Sequence, residues 1–169
     1  MAARRRAKAK VVPDPPREAR KVYVETSVWG MTLQNQPRAL REPTQQFLRL
    51  CALGLFEPYI SAVVLREIAH AKGAAKSRML RQIDALAPVH LEASEASEEL
   101  AEAFLRAGVV PAKKPDDARH VAIATVAGLD LVVSWNHRHL ASGTCLTRLN
   151  RLAGYQQVLL IHTPFEVMQ

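Results

Sequence analysis

A chain of 169 residues with 49% apolar content has the length of one ordinary domain and enough apolar material for a core, which excludes a second full domain. Its net charge of +7 points toward nucleic acid, but residues 1 to 21 hold eight basic residues against Asp14 and Glu18, which leaves residues 22 to 169 at only +1. The overall charge of the folded part is therefore no evidence for a nucleic-acid surface.

Pro13, Pro15 and Pro16 break up the basic run, and few large apolar groups are present to offset the entropy of ordering it. Residues 1 to 21 are expected to be a disordered arm, either a phosphate-binding tether for RNA or a solubilising tail. The basic start lacks the apolar middle of a secretory signal. The charge-free run 121 to 129 is far shorter than the roughly 20 residues that cross a bilayer, so no membrane span is expected. Cys51 and Cys145 stand far apart and read as small buried hydrophobes of a reduced, cytoplasmic protein.

The domain proper, 22 to 169, opens with Val22, Tyr23 and Val24 as a strand, and Thr26-Ser27 begins a turn that leaves Glu25 at the strand's carboxyl end. After Pro43, the spacing of Phe47, Leu50, Cys51 and Leu53 predicts an amphipathic helix stopped by Gly54. Tyr59 and Ile60 follow as a short strand, and Ser61 caps a helix that ends near Gly73 and carries Glu67. A helix over 76 to 86, a strand over 89 to 91, and an acidic helix capped by Ser94 or Ser97 and running to Gly108 complete the middle. Its Glu98, Glu99 and Glu102 are read as solvated surface.

Asp116 is placed as the N-cap of a helix reaching Gly128, apolar nearly all round and hence buried. Residues 131 to 134 read as a strand covered on both faces, followed by a helix over 145 to 152 and a last strand over 158 to 161. Strands alternating with helices predict a three-layer α/β/α sandwich with a central parallel sheet.

Three acidic sites fall beside these elements: Glu25, Glu67 and the pair Asp116-Asp117. Functional crevices in open α/β sheets lie outside the carboxyl ends of the strands, where the first and third belong. Crowded carboxylates need a cation, and hard oxygen donors suit magnesium or manganese. Taken singly, each has a plainer role: Asp117 favoured by the helix dipole, Glu67 paired with Arg66 or Lys72 or facing water. His120, one turn after Asp117, can meet a substrate phosphate or a metal-bound water, or satisfy a local hydrogen bond. His137 and His139 are expected to be solvated. In VVSWNHRHL, Ser134 and Asn136 should project at the same rim as Glu25, and Trp135 either packs or stacks on a base. A glycine-rich phosphate loop and a nucleophile elbow are both missing from the sequence, which disfavours a small-molecule hydrolase.

In order along the chain, VYVETSV, ISAVVLREI, PDDARHVAIAT and LVVSWNHRHL resemble the PIN domains, and within them the VapC-like toxins of toxin-antitoxin pairs. The resemblance covers residues 22 to 164, with NRLAGYQQVLLIHTPFEV similar to the end of one subgroup. It implies an Mg²⁺- or Mn²⁺-dependent endoribonuclease that cuts single-stranded RNA, forms a homodimer and is inhibited by a small antitoxin. By the same resemblance Glu25, Glu67 and Asp117 are metal-binding and catalytic, Asn136 is the fourth catalytic position, and Ser134 matches the small hydroxyl residue of that loop. Thr26, Ser134 and His120 are the candidate substrate contacts. The family usually has Asp where this chain has Glu25, and an extra methylene shifts the oxygens on a scale to which metal geometry is sensitive. A catalytically weakened PIN fold that binds RNA or protein is thus the second expectation, and Glu25→Asp is expected to keep or raise cleavage.

Overall fold

Val22, Tyr23 and Val24 are fully buried because their strand, β1 (Arg20–Val24), has a neighbour on each side. The computed structural model describes residues 19–136 and 143–169, side chains excepted at 143–145. β1 begins at Arg20, so Arg20 and Lys21 belong to the sheet, and the rest of the expected arm, 1 to 18, lies outside the described residues.

The other strands are β2 (Phe56–Ser61), β3 (Val89–Leu91), β4 (Leu131–Val133) and β5 (Leu160–His162). They form one all-parallel sheet in the order β3-β2-β1-β4-β5. The helices are α1 (Thr26–Met31), α2 (Arg38–Ala52), α3 (Ala62–Ala69), α4 (Ala74–Leu86), α5 (Glu95–Arg106), α6 (Pro115–Val126) and α7 (Gly143–Leu152), with a 3₁₀ turn at Glu166–Met168. Right-handed crossovers that run one way from β1 to β3 and the other way from β4 to β5 put helices on both faces. Accordingly α1 to α4 pack on one another, while α5 packs on α6. The molecule is the three-layer α/β/α sandwich that the alternation of elements predicts.

Differences from the predicted elements have local causes. A short helix, α1, replaces the turn after Glu25, because the Glu25 side chain caps it by accepting from the Ser27 amide. α2 starts at Arg38, five residues before Pro43. The missing proline N–H leaves a gap in the ladder, and the Thr44 hydroxyl secures the adjacent Leu40 carbonyl at 2.7 Å. β2 runs through Pro58, whose only strand partner is Val22, because β3 begins to pair one residue later at Tyr59. Proline is tolerated there as on an edge. α3 stops at Ala69, short of Gly73, and β5 starts two residues late.

Helix α6 begins at Pro115 with Lys114 at its N-cap position and no side-chain cap, so Asp116 is not the cap. It lies in the first turn, ion-paired with Arg66 at 2.7 Å and Arg119 at 3.0 Å. Burial alone would raise its pKa, but those two guanidinium groups hold it below the usual carboxylate range. Glu98, read as solvated, also meets Arg119. Ser94, one of the two candidates, caps α5 in a reciprocal pair with Ser97. Ser94→Ala should cost about 1 kcal/mol in a denaturant titration, with the slope unchanged.

Cys51 is buried, and burial pushes its thiol up to about 12, so it remains an inert apolar filler. The Cys145 side chain, His137 and His139 lie outside the described residues. Among the described residues no helix is long and apolar enough to cross a membrane.

Candidate metal centre

In this strand order the chain leaves β1 toward one edge of the sheet and β4 toward the other, so a crevice opens where their carboxyl ends diverge. Glu25 follows β1 directly and Ser134 follows β4 directly, with the Glu25 amide bonded to the Val133 carbonyl at 3.1 Å. α3, entered straight from β2, carries Glu67 across the same end, and the first two turns of α6 bring Asp117 and His120.

Glu25 is 2% exposed. Its Oε2 accepts from the Ser27 amide at 3.0 Å, from the Ser27 hydroxyl, and from the Ser134 hydroxyl at 2.8 Å. Its other oxygen accepts no hydrogen bond among the described residues. The loop beyond β4 is built on the same hydroxyls: Ser27 Oγ accepts from the Trp135 amide at 2.9 Å and Ser134 Oγ from the Asn136 amide at 2.8 Å. Ser134 is therefore a fully buried support for Glu25 and not an open substrate contact.

Glu67 Oε2 accepts from the Thr26 hydroxyl and lies 3.0 Å from His120 Nε2. Burial raises its pKa, but hydrogen bonding and charge from His120, then the Thr26 hydroxyl, outweigh it and keep the carboxyl below its ordinary value. Thr26, too, is occupied in holding a carboxylate. Glu67 thus pairs with neither Arg66 nor Lys72.

Asp117 is 7% exposed. Burial is the first reason its carboxyl titrates above the ordinary range, and the charges of Glu25 and Glu67 add to it against Lys114 and His120. Glu25, Glu67 and His120 offer ligand atoms that all lie within 4.8 Å of one another. Asp117 is not in that trio but feels both of its carboxylates.

His120 is wholly buried, and both ring nitrogens are engaged: Nε2 with Glu67, and Nδ1 with the Tyr23 hydroxyl at 2.7 Å. It is an internal group here, out of reach of a substrate phosphate. Tyr23 continues the chain to Ser61 Oγ at 2.6 Å. Burial raises the Tyr23 pKa, partly opposed by Ser61 and reinforced by Glu25 and Glu67, so the phenol stays protonated and can both give and accept. Nothing in the sequence context of Tyr23, Ser61 and Ser27 marks them as site residues, with one exception. A tyrosine inside a strand buried on both faces must find a partner for its hydroxyl. That partner lies 97 residues away.

Asn136 is exposed at the rim beside the cluster. Trp135 is partly buried with its indole N–H bonded to Thr44 at 2.9 Å, which makes it a packing residue.

By fold and site, the chain is a parallel α/β protein with a carboxylate and imidazole cluster at its topological switch point. Compared with known proteins, it matches no family model and no curated relative. The donors present suit a divalent cation: two carboxylates approach each other, a third is pushed toward its neutral form by burial and, further, by their charge, and all offer hard oxygen.

Proposed function

We propose that the chain is an Mg²⁺- or Mn²⁺-dependent endoribonuclease of the PIN-domain type, acting on single-stranded RNA as the toxin of a toxin-antitoxin pair in the cytoplasm. The observation that supports this reading is the close set Glu25, Glu67 and His120 at the carboxyl end of β1 and β4, with Asp117 near enough to feel both carboxylates, the acids following the chain order that the PIN resemblance implies.

Glu25, Glu67 and Asp117 would hold the ion, which when bound supplies an activated water and stabilises the leaving oxygen of an in-line displacement. The remaining steps belong to the chain. Ser27 and Ser134 fix the Glu25 carboxylate in advance, and Thr26 does the same for Glu67, so little reorganisation accompanies binding. Asn136, at the open rim, offers an amide to a phosphate oxygen and a carbonyl to a water. Lys113 and Lys114 are exposed just before Asp117 and favour the approach of a polyanion.

The test is cleavage of a labelled single-stranded RNA by the purified full chain across a Mn²⁺ series, with Asp117→Asn as control. Metal-dependent cleavage lost in that variant supports the enzyme. Tight RNA binding without turnover at any metal concentration would instead favour the silent PIN fold that the presence of Glu25 suggests. Rescue of cell growth by a co-expressed small neighbouring protein would support the toxin role, and a size measurement in solution would test the homodimer. For the basic arm, deleting residues 1 to 18 should flatten the salt dependence of RNA binding, since fewer counterions are released. An unchanged slope would make the arm a solubilising tail.

A further inference from the structure

Building on the metal-dependent reading, we propose that His120 is itself a ligand, binding the ion through Nε2 beside Glu25 and Glu67, and that the site consequently takes Mn²⁺ in preference to Mg²⁺.

The geometry begins with the trio. The close set of ligand atoms in this crevice contains an imidazole nitrogen where an all-carboxylate site would place a third oxygen. His120 Nε2 and Glu67 Oε2 stand 3.0 Å apart. Two donors at right angles around a small divalent ion, each about 2.1 Å from it, are separated by about 3 Å. The pair therefore already has the spacing of one edge of a coordination shell.

The opposite side of the ring is built as behind a ligating histidine. Such imidazoles are oriented by a hydrogen bond at the other nitrogen. Here the Tyr23 hydroxyl meets Nδ1 at 2.7 Å, and the two rings sit 5.5 Å apart at a tilt of 57°. Each ring nitrogen has one partner, Nε2 with Glu67 and Nδ1 with the Tyr23 hydroxyl. Ligation through Nε2 would leave the imidazole proton on Nδ1, to be donated to the Tyr23 oxygen, and the Tyr23 O–H would be given to Ser61 Oγ, 2.6 Å away. The Tyr23 hydroxyl can serve as donor or as acceptor toward Nδ1, according to the tautomer. A phenol flanked by two partners is the group that accommodates both.

Selectivity follows from the donor. Mg²⁺ favours oxygen and keeps its waters, whereas nitrogen ligation favours the later divalent ions. One imidazole among carboxylates tilts the site toward Mn²⁺ while leaving it chemically suited to phosphodiester hydrolysis.

The test uses the full chain labelled with ¹⁵N only in histidine, loaded with Mn²⁺ alone and examined by pulsed electron paramagnetic resonance. The expected result is a Mn–¹⁵N hyperfine coupling that is lost in His120→Gln. Because His120 is buried and that variant can fail to fold, a second variant, His137→Gln with His139→Gln, should keep the coupling in full. Direct titration should show Mn²⁺ bound about tenfold or more tightly than Mg²⁺, and Tyr23→Phe should weaken Mn²⁺ by about tenfold while preserving the coupling. Bound Mn²⁺ without ¹⁵N coupling would overturn His120 ligation and leave the nuclease reading standing. Loss of the coupling in the double variant would also overturn it. A chain that binds no Mn²⁺ at any concentration would overturn both.

Discussion

Asp117→Asn is expected to lower RNA cleavage by at least 10²-fold, the scale on which even the groups behind metal ligands act, while making the metal-free protein more stable. The two effects have one origin. Burial of Asp117, reinforced by the charges of Glu25 and Glu67, raises its carboxyl above its unfolded value. The native state therefore holds the proton more tightly than the unfolded state, and stability falls as pH rises from the unfolded pKa through the raised folded one. Below the unfolded value both states are protonated and no penalty remains.

Asparagine has no such titration. The difference in melting temperature between variant and wild type should thus be small in acid and larger at neutral pH, in favour of the variant. Mn²⁺ should reverse the order, because only the wild type gains its full binding energy, about 2.7 kcal/mol at 100 times the dissociation constant. A variant less stable than wild type at neutral pH without metal would show that Asp117 has a structural partner, and a variant that still cleaves would remove it from the site.

Glu25→Asp should lower cleavage by tenfold or more, the reverse of the effect expected from the resemblance to PIN domains. Aspartate matches the residue usual in PIN domains, but the surroundings here are cut to glutamate. Three donors from Ser27 and Ser134 converge on Oε2, and those same hydroxyls also anchor the Trp135 and Asn136 amides. Removing one methylene withdraws the carboxylate by about 1.5 Å. Aspartate can still cap α1, so the fold should survive, but the Ser134 hydroxyl loses its acceptor and the loop bearing Asn136 loses its register. The measurement is cleavage rate and Mn²⁺ affinity for the wild type, Glu25→Asp and Glu25→Gln. Faster cleavage by Glu25→Asp would mean that glutamate is a mark of decay in an otherwise ordinary site.

The elements are largely legible in the sequence because each rests on a local signal. Ser61 and Ser94 cap their helices, the αL glycine Gly54 closes the end of α2, and the apolar run of α6 announces its burial. Strands alternating with helices are enough to give the sandwich. What escapes are places where the local residue type argues against the element that forms: a proline inside α2, another inside β2, and a helix at Thr26 capped by the residue before it.

The site divides in the same way. Glu25 and the Asp116-Asp117 pair can be placed from position alone, since strand ends and helix starts next to a parallel sheet face its crevice, whereas Glu67 and the choice of Asp117 come from the PIN resemblance. Their supports cannot be placed in this way. Ser134, a substrate contact by its place in the sequence, instead holds Glu25, 109 residues away; His120, a candidate for the open surface, lies inside between Tyr23 and Glu67.

By itself the sequence determined the order and type of the elements and which acids stand at the functional end of the sheet, because hydrophobic period, capping and turn chemistry act over a few residues. Only the tertiary structure decided which hydroxyl meets which carboxylate, that an imidazole shares the crevice, and that Asp116 belongs to Arg66 and Arg119 while Asp117 belongs to the cluster. Those pairings are set by the crossing of β1, β2 and β4 with α3 and α6. Neighbouring residues on one helix turn can face different partners, and nothing local to the chain specifies which.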